Sequence, residues 1–470
     1  MLDLNSRRAR HSRHRPGIVG PLTAAACTLA AIAAPAACAQ APSLAAPPAA
    51  TPVVAFVDVS VVPMDRERVV AGQTVIVRDG RIAQMGPAAS VAVPAGALRV
   101  DGRGKYLMPG FAEMHGHLPF QAGPAADATL FLYVANGVTF VRGMQGNPVQ
   151  LEMRQAIQRG ELLGPTLVLA GPQLSGNSAR DAEAAARIVA EQKAAGFDLL
   201  KIQEGLSAAA YDAAVAAARE HRIPFAGHVP NDVGVRRAMA AGQSTVDHLD
   251  NFVEDLILLD DQRIPEGADL TRRIAAAASE AKRTGVAVVP TMPLWEILLL
   301  GGDSAQLAQR PELRYMPPAT VANWFNQART RSQAPTLERN RQVIQIRNQL
   351  LKAMSDSGVP ILFGTDAPQV FSVPGFSIHR EMRTMAAAGM TPWQILVSGT
   401  RAVAEHFGTP TEFGTVEAGR RADLILVDAN PLADVGNVAR RSGVMVRGLW
   451  LPESEIQSRL ERLAASHRQQ

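Results

Sequence analysis

The stretch GFAEMHGHLPF, residues 110–120, places His115 and His117 one residue apart at the end of an apolar run. In an extended strand, side chains at i and i+2 point to the same side. Two imidazoles held in that way can share one metal ion, because each offers a neutral nitrogen. Four more residues of similar chemistry close short apolar runs: Lys201 in FDLLKIQEG, His228 in IPFAGHVP, His248 in STVDHLDN and Asp366 in ILFGTDAP. Singly, each has a structural reading. His228 could be a core histidine, His248 a surface ion partner between Asp247 and Asp250, and Asp366 a helix N-cap in a strand-to-helix turn. Eight histidines lie beyond residue 39, and four of them fall at such strand ends. A shared metal centre accounts for all of these positions at once.

Lys201 is the informative member. The chain has five lysines against 42 arginines, and this one sits inside the apolar run LLKI. A buried ammonium without a partner costs several kcal/mol, and burial favours the neutral amine. A neutral amine captures carbon dioxide as a carbamate, an anion whose two oxygens suit two cations about 3.5 Å apart. The alternatives are a lysine snorkelling to the rim or pairing with Glu204.

The elements that would position these groups follow from patterning. VVAFVDVSVV, QTVIVRDGRIAQMG and ALRVDGRGKYLMPG are β-branched runs separated by turn signals, and ADLILVDANPL and SGVMVRGLW return to that pattern near the C-terminus. The expectation is a small β-sandwich domain built from both ends, residues 53–108 and 406–455, followed by a tail over 456–470. Between them, residues 109–405 alternate apolar strands with Ala-rich helical stretches, for which Ser178 and Ser207 are expected N-caps. Such alternation over nearly 300 residues predicts an α/β fold, a (β/α)8 TIM-like barrel with its reactive groups at the C-terminal strand ends. Residues 296–350 read as an added helical segment after the seventh strand.

The first 39 residues read as a secretory signal, with a basic start, an apolar middle and Ala37-Cys38-Ala39 as the cleavage pattern. Pro35 is a poor residue for a lipoprotein cut before Cys38. Residues 40–52 read as a Pro/Ala linker. The expected location is therefore periplasmic or secreted. The leader carries five arginines and one aspartate, so its removal leaves 42 basic and 42 acidic side chains. A neutral mature chain lacks the electrostatic footprint for nucleic acid. Both cysteines, Cys27 and Cys38, would leave with the leader, so stability must come from core and metal. The apolar barrel leaves room for a homo-oligomer interface.

The whole constellation resembles the amidohydrolase superfamily of metal-dependent hydrolases. GHVPNDVGVRRAMAAGQSTVDHLDN, ILFGTDAP and FGTVEAGRRADLILVDANPL resemble its imidazolonepropionase-like and Xaa-Pro dipeptidase-like branch, and the resemblance runs from about residue 53 to 440. It implies that His115, His117 and Asp366 hold one divalent metal ion, that His228 and His248 hold a second, and that carboxylated Lys201 bridges them. Zinc is the default for such a donor set. Two places depart from the pattern: Pro230 stands where relatives often carry a tyrosine, and Val141-Arg142-Gly143 where many read V-R-D. The implied reaction is hydrolysis of an amide bond, of peptide or N-acyl amino acid type, by a metal-bridging hydroxide. Asp366 would be the catalytic proton acceptor, and Arg142 a ligand for a substrate carboxylate. The competing readings are a mononuclear deaminase or cyclic-amide or lactone hydrolase on the same scaffold, and an exported binding protein without catalysis.

Overall fold

Fifteen strands and their connecting helices account for the chain between residues 52 and 468, which the computed structural model describes. The expected leader, both cysteines and the linker through residue 51 lie outside the described residues. The first strands are β1 (Val54–Val61), β2 (Val70–Arg78), β3 (Arg81–Pro87), β4 (Leu98–Asp101) and β5 (Tyr106–Pro109). The central ones are β6 (Phe111–Gly116), β7 (Val138–Gly143), β8 (Thr166–Leu169), β9 (Leu200–Ile202), β10 (Phe225–Gly227), β11 (Thr245–Asp247) and β12 (Ala287–Val289). The last are β13 (Leu424–Val427), β14 (Arg441–Val446) and β15 (Leu449–Pro452).

Both chain ends build one sheet. Its order is β15-β14-β13-β5-β1-β2-β3, with β4 also beside β1, and Leu107 of β5 lies opposite Leu426 of β13. An eight-stranded sheet thus stands where two facing sheets of a sandwich were expected. The reason lies in β1, whose register shifts around Val59 let its first half pair with β4 and its end with β5, so that one ladder links all the strands. Between β2 and β3, Asp79 and Gly80 adopt φ values of 50° and 75°. Positive φ at both central residues matches the right-handed twist of a two-residue hairpin.

The central strands are parallel. β6, β7 and β8 form one sheet, and β9 to β12 form another. Single bridges extend the pairing from Ala170 to Leu199 and from Val288 to Ile361, and Met114 N donates to Phe363 O at 2.8 Å. Residues 361–363, expected as a regular eighth strand, make only that one bridge. All of β6, β7, β9, β10, β11 and β12 is buried, as befits parallel strands covered on both faces. A periodicity of two is therefore absent here, and uninterrupted apolar runs mark the strands instead.

Helices follow the strands. Ser207 caps Ala208–Glu220 through the Ala210 amide. The helix expected to start after Ser178 instead begins at Ala182, with Asp181 accepting from Ala184 N at 2.8 Å. Ser178 cannot serve because its hydroxyl donates to Gln173 O. Helices Met292–Leu300, Ser304–Ala308, Pro318–Arg331 and Leu337–Ser357 fill the segment after β12. The expected C-terminal tail forms most of a helix, Glu453–Arg468, which buries Ile456, Leu460 and Ala464 at the spacing of one helical face. Among the described residues, no helix is long and apolar enough to cross a membrane.

Candidate metal centre

Each strand end delivers one or two polar groups to a common point. His115 lies near the end of β6, His117 directly follows it, and Lys201 occupies the middle of β9. His228 and His248 follow β10 and β11, and Asp366 follows residues 361–363. Lys201 Nζ stands 3.0 Å from His115 Nε2. The His115 and His248 rings are 4.5 Å apart between centroids, and those of His228 and His248 are 4.7 Å apart. Asp366 Oδ1 approaches His117 Nε2 at 2.6 Å, and its Oδ2 lies 3.7 Å from His248 Nε2. All six residues expected at the centre are brought together.

Glycine makes room for the lysine. A Cβ at Gly227, where φ is 117°, would stand 2.8 Å from Lys201 Cδ and 2.7 Å from Ile202 O. Any larger residue there would drive the strands apart. Lys201 is 2% exposed, so it neither snorkels nor pairs with Glu204. Glu204 belongs instead with His228 and Asp250, whose ligand atoms all lie within 4.8 Å of one another.

A set of supporting groups fixes the histidines. His117 Nδ1 meets Gln145 Oε1 at 3.1 Å, His228 Nδ1 meets Asp250 Oδ2 at 2.6 Å, and His248 Nδ1 meets Thr291 Oγ1 at 2.7 Å. Such partners set ring orientation and tautomer at metal sites. Asp247 Oδ2 stands 2.6 Å from His115 Nδ1, yet that nitrogen has no aligned hydrogen bond. His248 Nε2 and Asp366 Oδ1 are likewise buried without an aligned partner among the described residues. Buried polar atoms normally find partners. Of the unpartnered atoms, His248 Nε2 and Asp366 Oδ1 belong to residues whose ligand atoms cluster with that of His115, which suits a cation, and the mix of imidazole nitrogen and carboxylate oxygen suits zinc or a related divalent ion.

Burial sets the electrostatics. It pushes the Lys201 amine below its ordinary range and holds the His115 and His248 imidazoles well below theirs. All three are thereby inclined to the neutral forms that ligands and carbamate chemistry require. Asp247 is fully buried too, and burial alone would raise its carboxyl. Arg142 and Lys201 beside it outweigh that effect and keep it low.

Arg142 does not face the site mouth. It is wholly buried, with Nε donating to Met114 O at 2.6 Å, Nη1 to Thr245 Oγ1 at 3.0 Å and Nη2 to Asp247 Oδ2 at 3.0 Å. The expected substrate carboxylate has no access to a guanidinium engaged in this way, so Arg142 acts as a structural ion-pair partner. Asp366, with the next helix starting only at Ser377, is no N-cap. His115, His248 and Asp366 present ligand atoms within 4.8 Å of one another, and His117 Nε2 also reaches Asp366 Oδ1 at 2.6 Å. Sequence reasoning missed the supporting roles of Asp247, Asp250, Gln145 and Thr291. Asp247 and Asp250 flank His248 in the sequence and were visible only as its neighbours, whereas Gln145 and Thr291 carry no local signal.

A parallel α/β fold of TIM-barrel type gathers histidines, a lysine and an aspartate at its strand ends. The model of the amidohydrolase family matches residues 106–451, and the chain belongs to that family. Among curated proteins it is similar to adenine deaminase 3 of Rhizobium meliloti (strain 1021), 23% identical over 409 residues, covering 80% of this chain and 56% of that protein. It is also similar to imidazolonepropionase of Shouchella clausii (strain KSM-K16), 35% identical over 82 residues, or 17% of each chain. The chain thus spans about half the length, or less, of the curated relatives it matches. Among solved structures, a Xaa-Pro dipeptidase with methionine bound in its active site superposes with a TM-score of 0.64 at 18% identity, covering 85% of this chain and all of the other.

Proposed function

We propose that the chain is a binuclear metal-dependent hydrolase that cleaves an amide bond of a dipeptide or N-acyl amino acid. The observation that carries this reading is the position of Lys201, buried, 3.0 Å from His115 Nε2, and within a ring of histidines that a single ion would not need. Attack of its neutral amine on carbon dioxide forms a nitrogen–carbon bond and releases one proton. The resulting carbamate adds an anion between the two groups of donors. His115, His117, His228, His248 and Asp366 would hold two divalent ions, zinc by donor type. Such ions supply an acidified water and a polarised carbonyl.

The remaining steps fall to the chain. Asp366 stands among His115, His117 and His248, placed to take a proton from the attacking water and return it to the leaving amine. Asp247, Asp250, Gln145 and Thr291 keep the imidazoles aimed while charge shifts around them. A closed (β/α)8 barrel, an exported mature chain and a small-molecule substrate belong to the same proposal. The similarity to an adenine deaminase favours a second reading, a mononuclear deaminase.

Metal content separates the two. Full-length protein loaded with zinc in bicarbonate buffer is expected to hold two ions per chain, and to release amine from N-acyl amino acids or dipeptides in a substrate screen. One ion per chain, with ammonia released from a purine, would establish the deaminase instead.

A further inference from the structure

His248 leaves β11 with φ at 63°, and Leu249 follows at 55°. Neither is glycine. Left-handed backbone at such residues is strained and persists only where the surroundings over-determine it. Thr291 holds the ring through Nδ1. The backbone is held from much farther along the chain, where Arg347 in the helix Leu337–Ser357 donates Nη2 to the His248 carbonyl oxygen.

Arg347 is an unusual residue to find there. It is 3% exposed and makes no direct ion pair among the described residues, with Glu254, Asp250 and Glu381 favouring its charge only from farther off. Its Nε has no hydrogen-bond partner among the described residues. The guanidinium rests 4.7 Å over the Trp295 ring, whose centroid is 6.2 Å from that of His248. A buried guanidinium is costly, and a core residue needing only to fill space would be apolar. Its planar fork suits a role that combines an aromatic face with a fixed hydrogen-bond direction.

We propose that Arg347 is a positioning residue for the metal centre: clamped on Trp295, it fixes the His248 backbone so that Nε2 points into the donor cluster. The proposal rests on the reading of His248 as a metal donor. Arg347 touches no reacting atom. It acts through the geometry of one ligand, and the added helical segment after β12 becomes part of the centre's construction.

Metal binding tests this independently of turnover. Full-length protein, Arg347→Met and Arg347→Lys are stripped with a chelator and titrated with zinc in bicarbonate. Affinities for the two ions are then read by chelator competition and elemental analysis. Wild type is expected to bind two ions. Arg347→Met is expected to keep one of the two affinities and lose about 10- to 100-fold in the other, and Arg347→Lys to recover most of that loss. A folded Arg347→Met that binds both ions with wild-type affinity overturns the proposal. Should Arg347→Met fail to fold, Trp295→Leu decides in its place. It removes the face on which the guanidinium rests, and unchanged affinities for both ions overturn the proposal equally. Wild type binding fewer than two ions refutes the reading of the site itself, a different outcome from either.

Discussion

Lys201 Nζ lies 3.0 Å from Nε2 of His115, and both residues are almost wholly excluded from solvent. An amine in that position is a poor ammonium and a good nucleophile toward carbon dioxide. Lys201→Ala is therefore expected to lower the metal content from two ions to one or none and to reduce kcat by at least about 10²-fold. Elemental analysis of protein loaded with zinc in bicarbonate checks this. Retention of both ions and of full turnover would remove the lysine from the centre.

Asp366 Oδ1 lies 2.6 Å from His117 Nε2, with His115 and His248 also beside its carboxylate. If it moves the proton, Asp366→Asn should lose about 10²–10⁴-fold in kcat from the missing proton transfer alone, with weaker metal binding besides. Measuring kcat of the variant at saturating metal separates the two effects. Unchanged turnover would strike Asp366 from the mechanism.

Arg142 and Asp247 form a fully buried pair, with Thr245 and the Met114 carbonyl as further partners. Removing one member strands the other charge, a loss of about 3–5 kcal/mol. Arg142→Met should therefore unfold at markedly lower denaturant concentration. Its KM for any carboxylate-bearing substrate should change no more than its metal affinity does. A variant of wild-type stability with a selectively raised KM would return Arg142 to the substrate.

Acid should destabilise the metal-free protein through its histidines. Burial holds His115 and His248 well below the usual imidazole range, so the folded state leaves them neutral while the unfolded chain takes up protons below about pH 6.5. The unfolded state then binds more protons, and stability falls as pH drops through that value. Glu113 works the other way. Burial pushes its carboxyl up to about 8, so between its ordinary value of 4.5 and 8 its contribution weakens as pH rises. The cleaner measurement is thus a difference. Urea unfolding of chelated wild type and His248→Gln between pH 8 and 5 should show a smaller acid loss in the variant. Equal slopes would mean that His248 is not held neutral.

The types and positions of the donors were legible in the sequence because they depend on local chemistry. Short apolar runs marked β6 through β12, and parallel strands put their reactive groups at one end, so His115, His117, Lys201, His228, His248 and Asp366 could be listed together before any coordinates. What supports them could not be read that way. Which group lies beside a given imidazole depends on strand register and helix packing, and neither leaves a periodic trace. Arg142 looked available to substrate and is buried against Asp247 because inward-facing side chains of β7 and β11, strands of different sheets, meet in the interior. Arg347 lies 99 residues from the carbonyl it holds. Local patterning set what each strand end offers, and long-range packing decided which way each offered atom points.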